Sequence, residues 1–169
     1  MKGGGRMVRL GFVLTVSAIL LGVAAASVPV AAADRNAVVE RARLNDDTSG
    51  RVQRGQASYY SPRLHGRRMA NGQRFNSRSN SAASRTLPLG TTARVRNLET
   101  GRTADIKVED RGPHARRRIL DVSPRTAEQL GMTQEGTAPV EITPVEVPQR
   151  DGSTRLGAGA SSGRNSSSR

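Results

Sequence analysis

Residues 104–110 read Ala-Asp-Ile-Lys-Val-Glu-Asp, an apolar and charged alternation of period two that suits a strand with one dry face and one wet face. Arg94-Val95-Arg96 repeats the pattern upstream, and Thr100-Gly101 stands where a short hairpin turn would join the two. Further alternating or β-branched segments lie at 56–60, 93–98, 119–122 and 139–142, with Gly and Asn gathered in the gaps at Asn71-Gly72 and Leu89-Gly90. One stretch reads as helix: Ser123 fits an N-cap, Pro124 the first helical position, Ala127 and Leu130 an apolar stripe, and Gly131 a C-terminal stop. The pattern predicts a mainly β chain, a small barrel with one short helix packed at its side. Its core has to be built from Val, Leu, Ile and Ala, because the only aromatic residues are Phe12, Phe75, Tyr59 and Tyr60.

The ends read differently from the middle. Residues 1–33 combine a basic start (Lys2, Arg6, Arg9), an apolar run over 10–26 and the small stretch Val30-Ala31-Ala32-Ala33, the pattern of a secretory signal peptide cleaved near Ala33. A retained membrane anchor is the rival reading, weakened by Thr15, Ser17 and Gly22 inside the run. Residues 34–54 are expected as a disordered linker, 55–144 as the barrel domain, and 145–169 as a disordered basic tail rich in Gly and Ser. The chain has no cysteine, which excludes disulfides and thiolate metal sites, and with them a lipid anchor on an N-terminal Cys.

Formal net charge is +13, and with Lys2, Arg6 and Arg9 set aside 24 basic residues face 14 acidic ones. That balance in an exported chain points to an anionic partner such as peptidoglycan, a wall polymer or phospholipid headgroups. A nucleic-acid partner is not expected, since two adjacent tyrosines barely supply a stacking platform.

Six ordered motifs carry a resemblance: Gly55-Gln56-Ala57-Ser58-Tyr59-Tyr60, His65-Gly66-Arg67-Arg68-Met69-Ala70-Asn71-Gly72, Arg85-Thr86-Leu87-Pro88-Leu89-Gly90, Asp110-Arg111-Gly112-Pro113, Ile119-Leu120-Asp121-Val122-Ser123 and Gly136-Thr137-Ala138-Pro139-Val140. Together they resemble the double-psi β-barrel domain of the rare lipoprotein A family, a more specific signal than any one motif. The resemblance implies a six-stranded barrel with two crossing psi loops, located in the periplasm. It also implies a lytic transglycosylase that prefers glycan strands stripped of stem peptides, leaves 1,6-anhydromuramic ends and helps daughter cells separate.

Lytic cleavage uses the sugar's own 6-hydroxyl as nucleophile, so one carboxyl can donate a proton to the leaving oxygen and then take the hydroxyl proton. Hydrolytic glycosidases normally need two carboxylates. Asp110 is the candidate, at the end of a predicted strand before the Arg111-Gly112-Pro113 turn; capping that turn or pairing with Arg111 is the plain alternative. The chain departs from the family at two positions, with Gln73 where many members have Glu and Ser84 where many have His. Neither can carry a catalytic proton at neutral pH.

Gln73, Ser84, Tyr60, His65, Arg111 and His114 are the candidate substrate-binding residues. His114 is alternatively an exposed loop residue. Tyr59 and Tyr60 alternate faces, so one at most is expected to stack on a sugar. Asp121 reads as a structural hydrogen-bond acceptor for the start of the helix rather than as a second reacting carboxylate. Two histidines without Cys make no metal cluster, and no cofactor is expected. Arg67, Arg68 and Arg116 to Arg118 form two basic clusters, either a solvated surface or an attraction for muramic carboxylates and an anionic envelope surface. Two other functions stand beside the enzyme: a peptidoglycan-binding barrel of weakened or lost catalysis, and a structural wall protein.

Overall fold

The computed structural model describes residues 46–161. Its strands are β1 (Gln53–Tyr59), β2 (Ser81–Ser84), β3 (Thr92–Asn97), β4 (Thr103–Asp110), β5 (Arg118–Val122), β6 (Thr137–Pro148) and β7 (Thr154–Leu156), with one α-helix, α1 (Pro124–Leu130). The sheet runs β1-β5-β2-β4-β3-β6-β7, and a β1–β6 pairing closes the first six into a barrel. Two of the pairings are parallel, β1 with β5 and β2 with β4; the rest are antiparallel. Closure leaves no free edge among the six barrel strands.

Period two becomes burial directly. On β4, Ala104, Ile106 and Val108 face the core while Thr103, Asp105 and Lys107 face solvent. Val95, Leu120, Val122, Val140 and Ile142 complete an aliphatic interior, as the scarcity of aromatic residues requires. The turn from β3 to β4 is set by Asn97: its Oδ1 accepts from the Glu99 backbone N–H, and its Nδ2 donates to the Leu130 carbonyl, tying the hairpin to α1. On α1, the Ser123 hydroxyl accepts from the Thr126 N–H, Pro124 opens the first turn, and Gly131 closes the helix in the left-handed conformation. Thr126, Ala127 and Leu130 seal one side of the barrel.

The ordered fold is wider than residues 55–144. Strand β1 begins at Gln53, and Arg54 pairs with Glu141 at 2.6 Å. Ahead of it, the Asp47 N–H donates to the Thr86 carbonyl, so 46–54 is packed chain where a linker was expected. At the other end β6 continues through Pro148 with Val147 fully buried, and β7 pairs back on it. Residues 145–161, expected as part of a disordered tail, are therefore packed chain. Their glycines mislead because they are packing devices: a Cβ on Gly157 would lie 2.3 Å from the Pro144 carbonyl oxygen, so only glycine lets this segment lie against β6. The Gly157 and Ala158 N–H groups donate to the Val145 and Gly50 carbonyls, joining the two ends of the described chain. The expected signal peptide, residues 34–45 of the linker and residues 162–169 of the tail lie outside the described residues.

Candidate functional site

Beyond β1 the chain makes a 3-10 turn (Pro62–Leu64) and then doubles back on itself, with Arg68 and Arg74 bridged antiparallel. Gly72 takes φ 86°, a conformation that strains other residues, and closes this small hairpin with its N–H on the Met69 carbonyl. Met69 and Phe75 are buried beneath it, and the Phe75 ring packs on Tyr60 at 4.7 Å between centroids. The hairpin lies over the end of β4, where the Asn71 N–H donates to the Glu109 carbonyl. Together with the loop after Asp110 it walls a cleft of about 420 Å³.

Asp110 sits in that cleft with its carboxylate held from three directions. Oδ1 accepts the backbone N–H groups of Ala70 at 2.8 Å and Arg111 at 2.9 Å, and Oδ2 accepts the Tyr60 hydroxyl at 3.0 Å. Burial pushes the Tyr60 phenol far above its ordinary value, and the Asp110 charge, its hydrogen bond and the Asp121 charge push the same way. Tyr60 is thus a fixed neutral donor. Tyr59, the preceding residue of β1, packs against the core and also borders the cleft.

The other expected site residues divide. His114 is exposed and lines the cleft, as do Arg67 and Arg68. Arg111 also lines it, but its guanidinium is occupied: Nη1 donates to the Leu87 and Ser84 carbonyls, and Nη2 to both oxygens of Asp46 at 2.8 and 2.9 Å. Arg111 is therefore a tie between the N-terminal segment and the cleft wall. Ser84 does not reach the cleft. It is fully buried, and its hydroxyl accepts the N–H groups of Thr86 and Leu87, closing the turn after β2. Gln73, next to Gly72 at the turn of the hairpin, is exposed and is not part of the lining. His65 likewise lies outside the cleft, where its Nδ1 bonds with Ser77.

Asp121 corrects the sequence reading in the other direction. The helix start is capped by Ser123, and Asp121 lines the cleft, where its Oδ1 accepts the Ser58 hydroxyl at 2.5 Å and faces Arg118 Nε at 3.4 Å. The alternation of Leu120 and Val122 around it was the available signal: with both in the core, Asp121 must face the other way.

A closed six-stranded barrel with two parallel strand pairs, and a cleft holding Asp110 and Asp121 beside a hairpin at the end of β4, defines a double-psi β-barrel with a carboxylate site. Residues 52–142 match the family model described as lytic transglycolase, and the chain belongs to that family. It is 39% identical over 114 residues to a probable endolytic peptidoglycan transglycosylase RlpA of Synechocystis sp., covering 65% of this chain and 36% of that protein. It is 49% identical over 88 residues to the probable Aquifex aeolicus RlpA, covering 52% and 39%, and 41% identical over 93 residues to the Campylobacter jejuni protein, covering 55% and 34%. The chain thus spans between a third and two fifths of the length of these relatives. Among solved structures, the Streptomyces papain inhibitor is similar at 22% identity with a TM-score of 0.46, over 57% of this chain and 96% of that one.

Proposed function

We propose that this chain is a periplasmic lytic transglycosylase that cleaves peptidoglycan glycan strands, with Asp110 as a carboxyl that handles the proton of the attacking 6-hydroxyl. One observation carries the reading: in a barrel of the lytic transglycolase family, Asp110 is fixed in an open cleft by two backbone N–H groups and the Tyr60 hydroxyl. A carboxyl held on three sides is pre-organised, so little reorganisation accompanies the reaction. The relatives named endolytic peptidoglycan transglycosylase support the same substrate. Arg67, Arg68 and His114 stand along the cleft where the lactyl carboxylates of stem-free muramic residues would pass, which supports a preference for stripped strands.

The experiment is incubation of the protein with amidase-treated glycan strands and mass spectrometry for 1,6-anhydromuramic ends. Formation of those ends supports the reading, and reducing ends alone would replace it with hydrolysis. A second reading, a glycan-binding barrel of weakened catalysis, is favoured by Gln73 and Ser84: the positions of the family's Glu and His place no titratable group in the cleft. Binding of strands without any cleavage would select it.

A further inference from the structure

A second depression lies toward the other end of β4 from Asp110. It is a groove of about 540 Å³ lined by Asn80, Arg94, Thr103, Ala104, Asp105 and Gln129, none of which borders the cleft. Along β4 the chain rises about 3.4 Å per residue, which sets Asp105 roughly 17 Å from Asp110. Thr103 and Asp105 belong to the wet face of that strand, so the groove opens on the outside of the barrel wall.

The pairing of the strands explains why these side chains meet. Arg94 is the β3 partner of Asp105, and their side chains pair at 2.9 Å. Asn80 is held beside them at the entry to β2, where its carbonyl accepts the Lys107 N–H. Gln129 is exposed on α1, next to Leu130, whose carbonyl accepts from the Asn97 and Thr100 side chains and so fixes the helix against the hairpin.

The lining selects a class of ligand. Arg94 and Asp105 cancel each other's charge, so nothing here favours a phosphate, a nucleic acid or an anionic bilayer. Ala104 is the sole apolar residue of the lining, which leaves an apolar peptide side chain nowhere to bury. What remains is two primary amides, a hydroxyl and the outer atoms of an ion pair, donors and acceptors together, which suit a neutral polyhydroxylated ligand. One group lacks a donor: Asn80 Oδ1 is buried without a hydrogen-bond partner among the described residues, an arrangement that costs stability until an N–H or O–H reaches it. The terminal amide torsion of Asn is broad, so a turn of this half-buried side chain aims the oxygen into the groove.

We propose that this groove is a second saccharide site, which holds an uncharged N-acetylhexosamine unit of a wall glycan with its acetamido N–H on Asn80 Oδ1 and its hydroxyls on Gln129, Thr103 and Asp105. The choice of polymer rests on the peptidoglycan reading above; the sugar class rests on the lining. Because the groove is separate from the cleft, it grips a stretch of glycan other than the one being cleaved. Two linked contacts hold the enzyme on the wall longer than the cleft alone and leave the chemistry untouched.

The test titrates the full chain, isotope-labelled for NMR, with N-acetylglucosamine hexamer, a probe that has acetamido groups but neither lactyl carboxylates nor stem peptides. Saturable shifts of the Asn80 and Gln129 side-chain amides and of the Thr103 and Asp105 backbone N–H signals are expected; their absence overturns the site. Asn80→Ala with Gln129→Ala should weaken binding read at Thr103 and Asp105 about tenfold, the worth of one or two neutral hydrogen bonds. Gln129→Ala alone, at an exposed helix position, serves if the double variant melts, and unchanged affinity in a folded variant overturns the site. On long stem-free strands the variants should raise KM with kcat unchanged, and on a tetrasaccharide that fills the cleft they should change neither. Equal losses on both lengths would show that the groove does not act separately from the cleft and overturn the proposal. Groove shifts in a wild-type chain that forms no anhydro ends bring down the lytic reading and leave the groove standing; anhydro ends without groove shifts do the reverse.

Discussion

Replacing Asp46 with alanine tests whether the segment ahead of the barrel takes part in the site. Its carboxylate is 7% exposed, the Arg111 side chain it holds is 24% exposed, and the contacts are 2.8 and 2.9 Å. Breaking a fully buried pair costs about 3–5 kcal/mol and losing an exposed one about 0–1 kcal/mol. This pair lies between, buried on the acid side and partly wet on the arginine side, so a loss of about 2 kcal/mol is expected. For a domain of this size that is roughly 8 °C in Tm. Because the Arg111 backbone N–H holds Asp110 Oδ1, freeing the guanidinium should also lower kcat on glycan strands. Asp46→Asn, which keeps an acceptor oxygen but not the charge, should lose less. Thermal melting by circular dichroism and the anhydro-product assay read the two effects. A Tm within about 1 °C of wild type for Asp46→Ala would refute the reasoning.

Gly157→Ala places a Cβ against the Pro144 backbone and should destabilise the fold by about 1–3 kcal/mol, where a free tail would leave the urea midpoint unmoved. Alkaline titration should show Tyr60 resisting ionisation: its raised value means that the stability of its neutral phenol is fully present below pH 10 and is lost as pH rises beyond it. One phenol's worth of phenolate absorbance should appear only as the fold opens, and Tyr60→Phe should remove that step; ionisation of both tyrosines in the folded chain would contradict it.

The barrel was legible where period two was strong. Strands β3 and β4, their hairpin and α1 with its Ser123 cap follow from local pattern, because those residues are both locally preferred and half-buried. Strand β2 was not legible: Ser81-Ala82-Ala83-Ser84 is buried on both faces and carries no alternation. β7 and the packed Gly157 were hidden by composition, since small residues that permit close approach look the same in sequence as residues that pack on nothing. Within the site, Asp110 and Tyr60 were legible from motif and alternation. Ser84 and Gln73 were misplaced because motif position does not say which way a side chain turns: the Ser84 hydroxyl closes its own turn, and Gln73 is exposed beside the turn of its hairpin. Asp121 was read as a helix partner because it precedes Ser123, although strand alternation at Leu120 and Val122 sends it into the cleft.

The most direct measurement is the yield of 1,6-anhydromuramic ends from amidase-treated strands incubated with wild-type protein and with Asp110→Asn, each checked for its melting temperature. Asp110→Asn keeps the size of the side chain and an oxygen for Ala70, Arg111 or Tyr60 to donate to, but cannot take a proton. Anhydro ends from wild type, their loss in Asp110→Asn with Tm and strand binding nearly unchanged, is the predicted result; equal yields from the two proteins would contradict it.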